Sequence, residues 1–502
     1  MNSSGLLTLS AGLLAFAAPA PAAPATPVKP NIVFILGDDI GFGDLGCYGQ
    51  TKIRTPHLDR LAAEGLRFTH LYSGNAVCAP SRCVLLTGKH PGHAFIRNNR
   101  EIEPEGQYPI PENTVTLAKL LQQQGYVTGG FGTWGLGGPG SSGEPTRQGF
   151  DEFYGYLCQR QAHNHFPTHL WRNGRKVLLN NPDFPADQKF PAGADPHDPK
   201  NYLRYLGNEY APDLMAAQAR RFLAENKDRP FFLYFPTTVA HLALQVPEDS
   251  LKEYEGKFPE TPYDGRDRYL PHRTPHAAYA AMITRMDREV GRLIDLIKAY
   301  GLDENTIFIF TVDNGPLYEN HGGTDTDFFR SAGSLRGRKG SLYEAGVRVP
   351  GLVRWKGRIA PGGVTHHVAG FEDWLPTLLE LIGARDAVPA GLDGISFAPV
   401  LRGESQPERP FLYREFTGYG GYQFVRQDGW KAIRQNLAPL DPRAPAVSVP
   451  PELYNLKDDP NETTNLASRH PDILARLEQI MREQHTPSAE FPLPAIDHRA
   501  LR

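Results

Sequence analysis

Five short stretches hold the side chains whose types and spacing can do chemistry. Asp38 and Asp39 follow the apolar run Asn31–Leu36, and Asp313 and Asn314 follow the run Thr306–Val312. Adjacent carboxylates straight after a core strand are costly unless they are solvated or bound to a cation. Three carboxylates and one amide oxygen make a hard donor set that suits Ca²⁺ or Mg²⁺. Cys78 opens the run Cys78-Ala79-Pro80-Ser81-Arg82-Cys83, which stops at Gly88. Pro80 is tolerated in a first helical turn and Gly88 is a natural end, so Cys78 stands at the mouth of a short helix. Unpaired N–H donors and the positive end of the helix favour anions there, and Arg82 adds a cation one turn on. The stretch is not a C-x5-R phosphate loop, because Arg82 comes four residues after Cys78. His241 follows the apolar run Phe231–Phe235, and Lys339 sits in a Gly/Arg-rich loop. Taken singly, a strand-end Asp is a cap, His241 a loop histidine and Lys339 a surface lysine.

The elements that must position these groups alternate. Short apolar runs at Asn31–Leu36, Tyr126–Phe131, Phe231–Phe235 and Thr306–Val312 read as buried strands. Between them lie helical patterns. Thr55-Pro56 starts one with Leu58, Leu61, Ala62 and Leu66 on one face, and Thr114 begins another with Leu117, Leu120 and Leu121. Pro212 opens a third, and a long stripe runs from about His276 to Tyr300. The alternation predicts an α/β fold, a large mainly parallel sheet sandwiched by helices. In such sheets sites form beyond the carboxyl ends of the strands, where both acidic pairs stand. Residues 144–205 read as a long irregular rim rich in Tyr, His, Asn and Pro. From about Pro389 shorter strand-like pieces (Phe411–Phe416, Tyr422–Arg426, Trp430–Arg434), a turn region at 452–456 and a last helix near Pro471–Glu483 predict a smaller C-terminal α+β domain with an antiparallel sheet. The expected division is 26–388 and 389–502.

A chain of 502 residues with 22% charged and 40% hydrophobic residues is long enough for one large and one smaller domain of globular composition. A formal charge of −3 gives no electrostatic case for nucleic acid or an anionic membrane. Leu6–Ala18 has the length of a secretory apolar region and is followed by small residues and prolines, so residues 1–25 are expected to be a signal peptide and the protein to be exported, periplasmic or extracellular, without a membrane anchor. Four cysteines (Cys47, Cys78, Cys83, Cys158) are too few for a disulfide scaffold.

C-x-P-S-R followed by L-T-G-K resembles the signature of the type I sulfatases, in the alkaline phosphatase superfamily. The wording T-P-H-L-D-R-L-A-A-E-G at 55–65, H-x-x-x-Q-V-P at 241–247 and the run Leu335–Pro350 resemble that family too. The resemblance implies that a formylglycine-generating enzyme oxidises Cys78 to formylglycine, whose hydrate attacks the sulfur of a sulfate ester. It implies metal ligation by Asp38, Asp39, Asp313, Asn314 and the modified Cys78, with Ca²⁺ preferred and Mg²⁺ possible. It gives Arg82 the anchoring of the hydrate, His241 the protonation of the leaving alkoxide, and Lys339 a grip on a sulfate oxygen. The activity implied is that of an arylsulfatase-like sulfuric ester hydrolase acting on a sulfated glycan or aryl sulfate.

One stretch departs from the pattern. Where the family carries G-K-W-H-L-G, this chain has Gly132-Thr133-Trp134-Gly135-Leu136-Gly137. Losing one positioned donor in such a site costs about 10²–10³ in rate. Thr133, His163 and His165 are the residues expected to substitute as substrate contacts. Two further readings stay open on the sequence: a phosphate or phosphonate ester hydrolase on the same scaffold, and a catalytically weak relative that binds sulfated glycans.

Overall fold

The computed structural model describes Met1 and residues 29–318, 320–440 and 449–497. Apart from Met1, the expected signal peptide lies outside the described residues. The strands of the large sheet are β1 (Asn31–Gly37), β2 (Leu66–Tyr72), β3 (Val127–Thr133), β4 (Glu152–Tyr156), β5 (His169–Arg172), β6 (Arg175–Leu178), β7 (Phe231–Pro236), β8 (Thr306–Val312), β9 (Arg348–Arg354), β10 (Gly363–Thr365) and β11 (Ala369–Gly370). They run in the order β10-β2-β9-β8-β1-β7-β3-β4-β5-β6, with β11 also on β2. The centre, β8-β1-β7-β3-β4, is parallel. β9 enters antiparallel between β8 and β2, and β5 and β6 extend the other side antiparallel.

Central β1, β7 and β8 are buried along their whole length, which is why each is a continuous apolar run rather than an alternating one. Helices cover the sheet. They include α1 (Pro56–Ala63), α2 (Cys78–Thr87), α3 (Leu117–Gln123), α4 (Ala211–Asn226), α5 (Glu248–Leu251) and α6 (Pro275–Ala299). The α6 stripe Tyr279, Ile283, Met286, Val290, Leu293 and Ile297 is buried against the core, at about 1.5–3 kcal/mol for each large apolar side chain.

Three expectations change. Leu66 is not on α1 but begins β2, because the helix stops at Ala63 and the chain turns at Gly65. Residues 144–205 are not simply irregular: β4, β5 and β6 lie within them, with pleats too short and aromatic to show a clean alternation. The region at 452–456 contains a strand, β15 (Glu452–Asn455), and is not just a turn.

β12 (Leu412–Phe416), β13 (Tyr422–Gln427), β14 (Trp430–Gln435) and β15 (Glu452–Asn455) form a separate antiparallel meander, and a helix at Pro471–Gln484 packs on it. This sheet is docked on the segment that leads into α2. Phe416, Phe424 and Ile433 share one apolar cluster with Tyr72, Ala76 and Val77. Arg414 Nε donates to the Ser73 carbonyl at 2.7 Å, and its guanidinium pairs with the fully buried Glu372 at 2.8 Å. Asn75 Nδ2 donates to the Glu415 carbonyl at 2.9 Å.

Candidate active site

The side chains of the site stand just past the carboxyl ends of central strands, on loops tied to them, or in the first turns of α2. β1 delivers Asp38 and Asp39, and β8 delivers Asp313 and Asn314. The Asp313 amide donates to the Gly37 carbonyl at 3.1 Å, which carries the two pairs side by side. The loop after β7 backs onto the same place: Asp38 N donates to Val239 O at 2.8 Å and Ala240 N to Asp38 O at 2.6 Å, so His241 is set beside the carboxylates. The Lys339 loop is held from two sides, Lys339 N to Pro316 O and Gly340 N to Ala76 O, both at 2.8 Å. α2 begins at Cys78, is buried throughout, and ends at Gly88, whose left-handed φ of +68° lets its N–H close on Val84 O.

The result is one buried polar centre. Ligand atoms of Asp38, Asp39, Cys78 and Asp313 all lie within 4.8 Å of one another. Cys78 Sγ is 3.6 Å from Asp38 Oδ1 and 3.6 Å from Lys339 Nζ. Lys339 Nζ is 2.7 Å from the Asp39 carboxylate. Arg82 Nη2 reaches Asp38 at 2.6 Å and Asp313 at 2.9 Å, while Nη1 donates to the Thr133 carbonyl. His241 donates Nδ1–H to the Leu242 carbonyl at 2.7 Å and faces Asp39 with Nε2 at 3.6 Å.

Electrostatics follow from that packing. Burial, together with the neighbouring carboxylates, raises Asp38 to about 6 and Asp313 to about 7 despite Arg82. Burial alone would raise Asp39 too, but the adjacent Lys339 and His241 hold it below the usual carboxylate range. Burial and Asp38 push the Cys78 thiol well up, so it is not a thiolate nucleophile. Burial and Lys339 lower His241 to about 4. Three carboxylates face two cations, and Asn314 Oδ1 is buried without a hydrogen-bond partner while its Nδ2 donates to Asp39 at 2.7 Å. An unpaired amide oxygen beside mutually repelling carboxylates is the donor set of a divalent hard cation, and the residues fit one.

The family model described as Sulfatase matches residues 30–384, and that described as N-sulphoglucosamine sulphohydrolase, C-terminal, matches residues 338–486. The chain belongs to the sulfatase family. It is similar to human arylsulfatase A, 35% identical over 506 residues that cover 95% of this chain and 89% of the relative. It is also similar to the N-acetylgalactosamine-6-O-sulfatase of Bacteroides thetaiotaomicron, at 29% identity over 91% of this chain and 93% of the relative. The solved structure of Ps i-CgsB in complex with k-i-k-neocarrahexaose aligns with a TM-score of 0.71 at 26% identity, covering 94% of this chain and 95% of that one. The sulfatase is therefore a sulfuric ester hydrolase of a family that carries formylglycine and a divalent metal.

Within this sulfatase the substitutes expected near Thr133 and Gly135 take different places. His163 stacks on His241 with ring centroids 4.9 Å apart and packs at a tilt against Tyr269 at 5.0 Å. His165 is a correction. It is fully buried, donating Nε2–H to the His241 carbonyl at 3.0 Å and accepting from the Thr238 hydroxyl at Nδ1, so both nitrogens are engaged behind His241 and neither faces substrate. Thr133 is buried, its carbonyl on Arg82. Arg82 lies on the carboxylates rather than against the thiol, so it orients Asp38 and Asp313. One contributor, Tyr269, was missed by sequence reasoning, because it sits in no stretch with a chemical signature of its own. All four cysteines are free.

Proposed function

We propose that this sulfatase is an exported enzyme that releases inorganic sulfate from a sulfated carbohydrate, and from small aryl sulfates, after a formylglycine-generating enzyme has modified Cys78. The observation that carries the reading is the placement of Cys78 at a helix N-terminus, 3.6 Å from both Asp38 and Lys339 and un-ionised as a thiol. Oxidation to the aldehyde, followed by addition of water to give its hydrate, would supply there the hydroxyl nucleophile that a buried thiol cannot. Asp38, Asp39, Asp313 and Asn314 would hold the metal, and their all-oxygen set favours Ca²⁺, with Mg²⁺ the alternative. Such an ion supplies Lewis-acid stabilisation of the sulfate oxygens.

The remaining roles belong to this chain's own side chains. Arg82 fixes Asp38 and Asp313 in one orientation by bonding to both. Lys339 brings a fixed positive charge next to the Cys78 side chain, where it offsets the charge of a sulfate oxygen. His241 has Nδ1 tied to the Leu242 carbonyl, which leaves Nε2 facing the centre; a bound sulfate anion offsets Lys339 and favours the charged ring, whose Nε2–H then goes to the departing alcohol.

A sulfated carbohydrate is favoured by a run of rings that leads outward from the centre. His163 packs against Tyr269, Tyr269 contacts His321 at 5.3 Å, His321 contacts Tyr318 at 6.1 Å, and Tyr318 contacts Tyr419 at 6.3 Å. Tyr419 is 54% exposed. Half-exposed aromatic faces beside a polar anion site suit the apolar face of a sugar ring. Tyr419 comes from the loop between β12 and β13, which gives the proposed 389–502 domain a part in the substrate rim. The test is sulfate release from N-acetylgalactosamine 6-sulfate and an aryl sulfate, set against matched phosphate esters. Faster turnover of phosphate esters contradicts the reading.

A further inference from the structure

Gly135 leaves a space that another residue fills. Its φ of +89° is the left-handed conformation that favours glycine, and a Cβ added there would lie 1.9 Å from Gln159 Nε2. The Gln159 amide thus occupies the volume into which a side chain at residue 135 would project. The two are mutually exclusive.

Gln159 is 5% exposed, yet neither Nε2 nor Oε1 has a hydrogen-bond partner. A second unpartnered polar atom lies on the facing segment, Thr133 Oγ1. Buried amides and hydroxyls are nearly always paired, and unpaired ones at a site point to a ligand that pairs them. The surroundings place the segments that carry these atoms beside the reaction centre. Thr133, two residues before Gly135, accepts from Arg82, which holds Asp38 and Asp313. Four residues after Gln159, His163 stacks on His241, which faces Asp39. Gln159 therefore bridges two segments that each touch the carboxylate cluster.

We propose that Gln159 is a substrate-binding residue. Its Nε2 donates to a sulfate oxygen, its Oε1 accepts from a hydroxyl of the sugar that carries the ester, and Thr133 Oγ1 donates to the same sulfate. An amide offers a donor and an acceptor without moving a proton, so it holds a sulfated sugar in place while proton transfer stays with His241. The inference rests on the reading of the site as one for a sulfated carbohydrate, and deepens it.

The test uses the full chain with Ca²⁺ present, inorganic sulfate as the probe, and the variant Gln159→Leu, which keeps the volume and removes both polar atoms. Calorimetry is expected to show the sulfate Kd weakened about tenfold, the loss of a hydrogen bond to a charged group. The variant's Tm is expected to equal or exceed that of the wild type, because an unpaired buried amide has been removed. A sulfate Kd unchanged in Gln159→Leu, or a wild type that binds no sulfate, overturns the proposal. So does a fall in Tm with sulfate affinity kept, which makes the amide structural. Gln159-dependent sulfate binding in a protein that hydrolyses no ester supports this inference and removes the hydrolase reading.

Discussion

The Lys339 ammonium lies 2.7 Å from the Asp39 carboxylate, across 300 residues of sequence, with both groups buried. In such surroundings each charge depends on the other. Lys339→Ala leaves Asp39 without its nearest cation, which costs about 3–5 kcal/mol when a buried pair is broken. It also removes a positive charge beside Cys78. Sulfate ester turnover is expected to fall about 10²–10³-fold. Steady-state kinetics on an aryl sulfate reads the effect, and a variant within a few-fold of the wild type would remove Lys339 from the chemistry.

Chelation should act on stability as well as on rate. Burial and Asp39 raise Asp38, and burial and Asp38 raise Asp313, so the metal-free centre is under repulsion that a divalent cation relieves. EDTA is expected to abolish turnover and lower Tm. Added ligand at a hundred times its Kd restores about 2.7 kcal/mol. Asn314→Leu should weaken metal affinity, since it removes the unpartnered Oδ1. A Tm indifferent to chelator and to both ions would contradict the proposed ligand set.

Much of this centre was legible before any coordinates. The four strands that deliver the site were read from continuous apolar runs, and β8 coincides with Thr306–Val312. The Cys78 helix was read from Pro80 and Gly88, residues whose backbone preferences are strong enough to speak alone. What was not legible depends on partners distant in sequence. β9 is a central strand only because β8 and β2 flank it. His165 looked like a substrate contact, yet its nitrogens are taken by Thr238 and His241, more than seventy residues away. Gln159 carries no motif, and only the space above Gly135 reveals it.

Thr133 allows a direct check on the missing charge. Thr133→Lys is expected to raise sulfate ester hydrolysis, because a cation would join Arg82 and Lys339 on the sulfate side of the centre. The comparison is kcat for the two proteins on one aryl sulfate. An unchanged or lower rate means that another group already fills that role.

At the end of the helix Pro471–Gln484, His485 links pH to stability. Its ring lies 2.8 Å from Glu415 and 2.9 Å from Asp497. Burial opposes the charged ring, but these two carboxylates outweigh it and raise His485 above its ordinary value. A raised histidine stabilises fully below its unfolded value and loses that contribution as pH rises through its folded one. The Tm gap between the wild type and His485→Leu is expected to be widest near about pH 6 and to narrow toward about pH 9. A gap that is constant or grows with pH would contradict the ion pairs.

The central claim is that Cys78 is the precursor of the nucleophile, and the mass of one peptide tests it most directly. Trypsin releases Phe68–Arg82 from the chain expressed in cells competent for the modification. The account predicts that Cys78 appears as the aldehyde, with the CH₂SH group replaced by CHO. An intact thiol at Cys78, in cells that convert a control sulfatase, would contradict it.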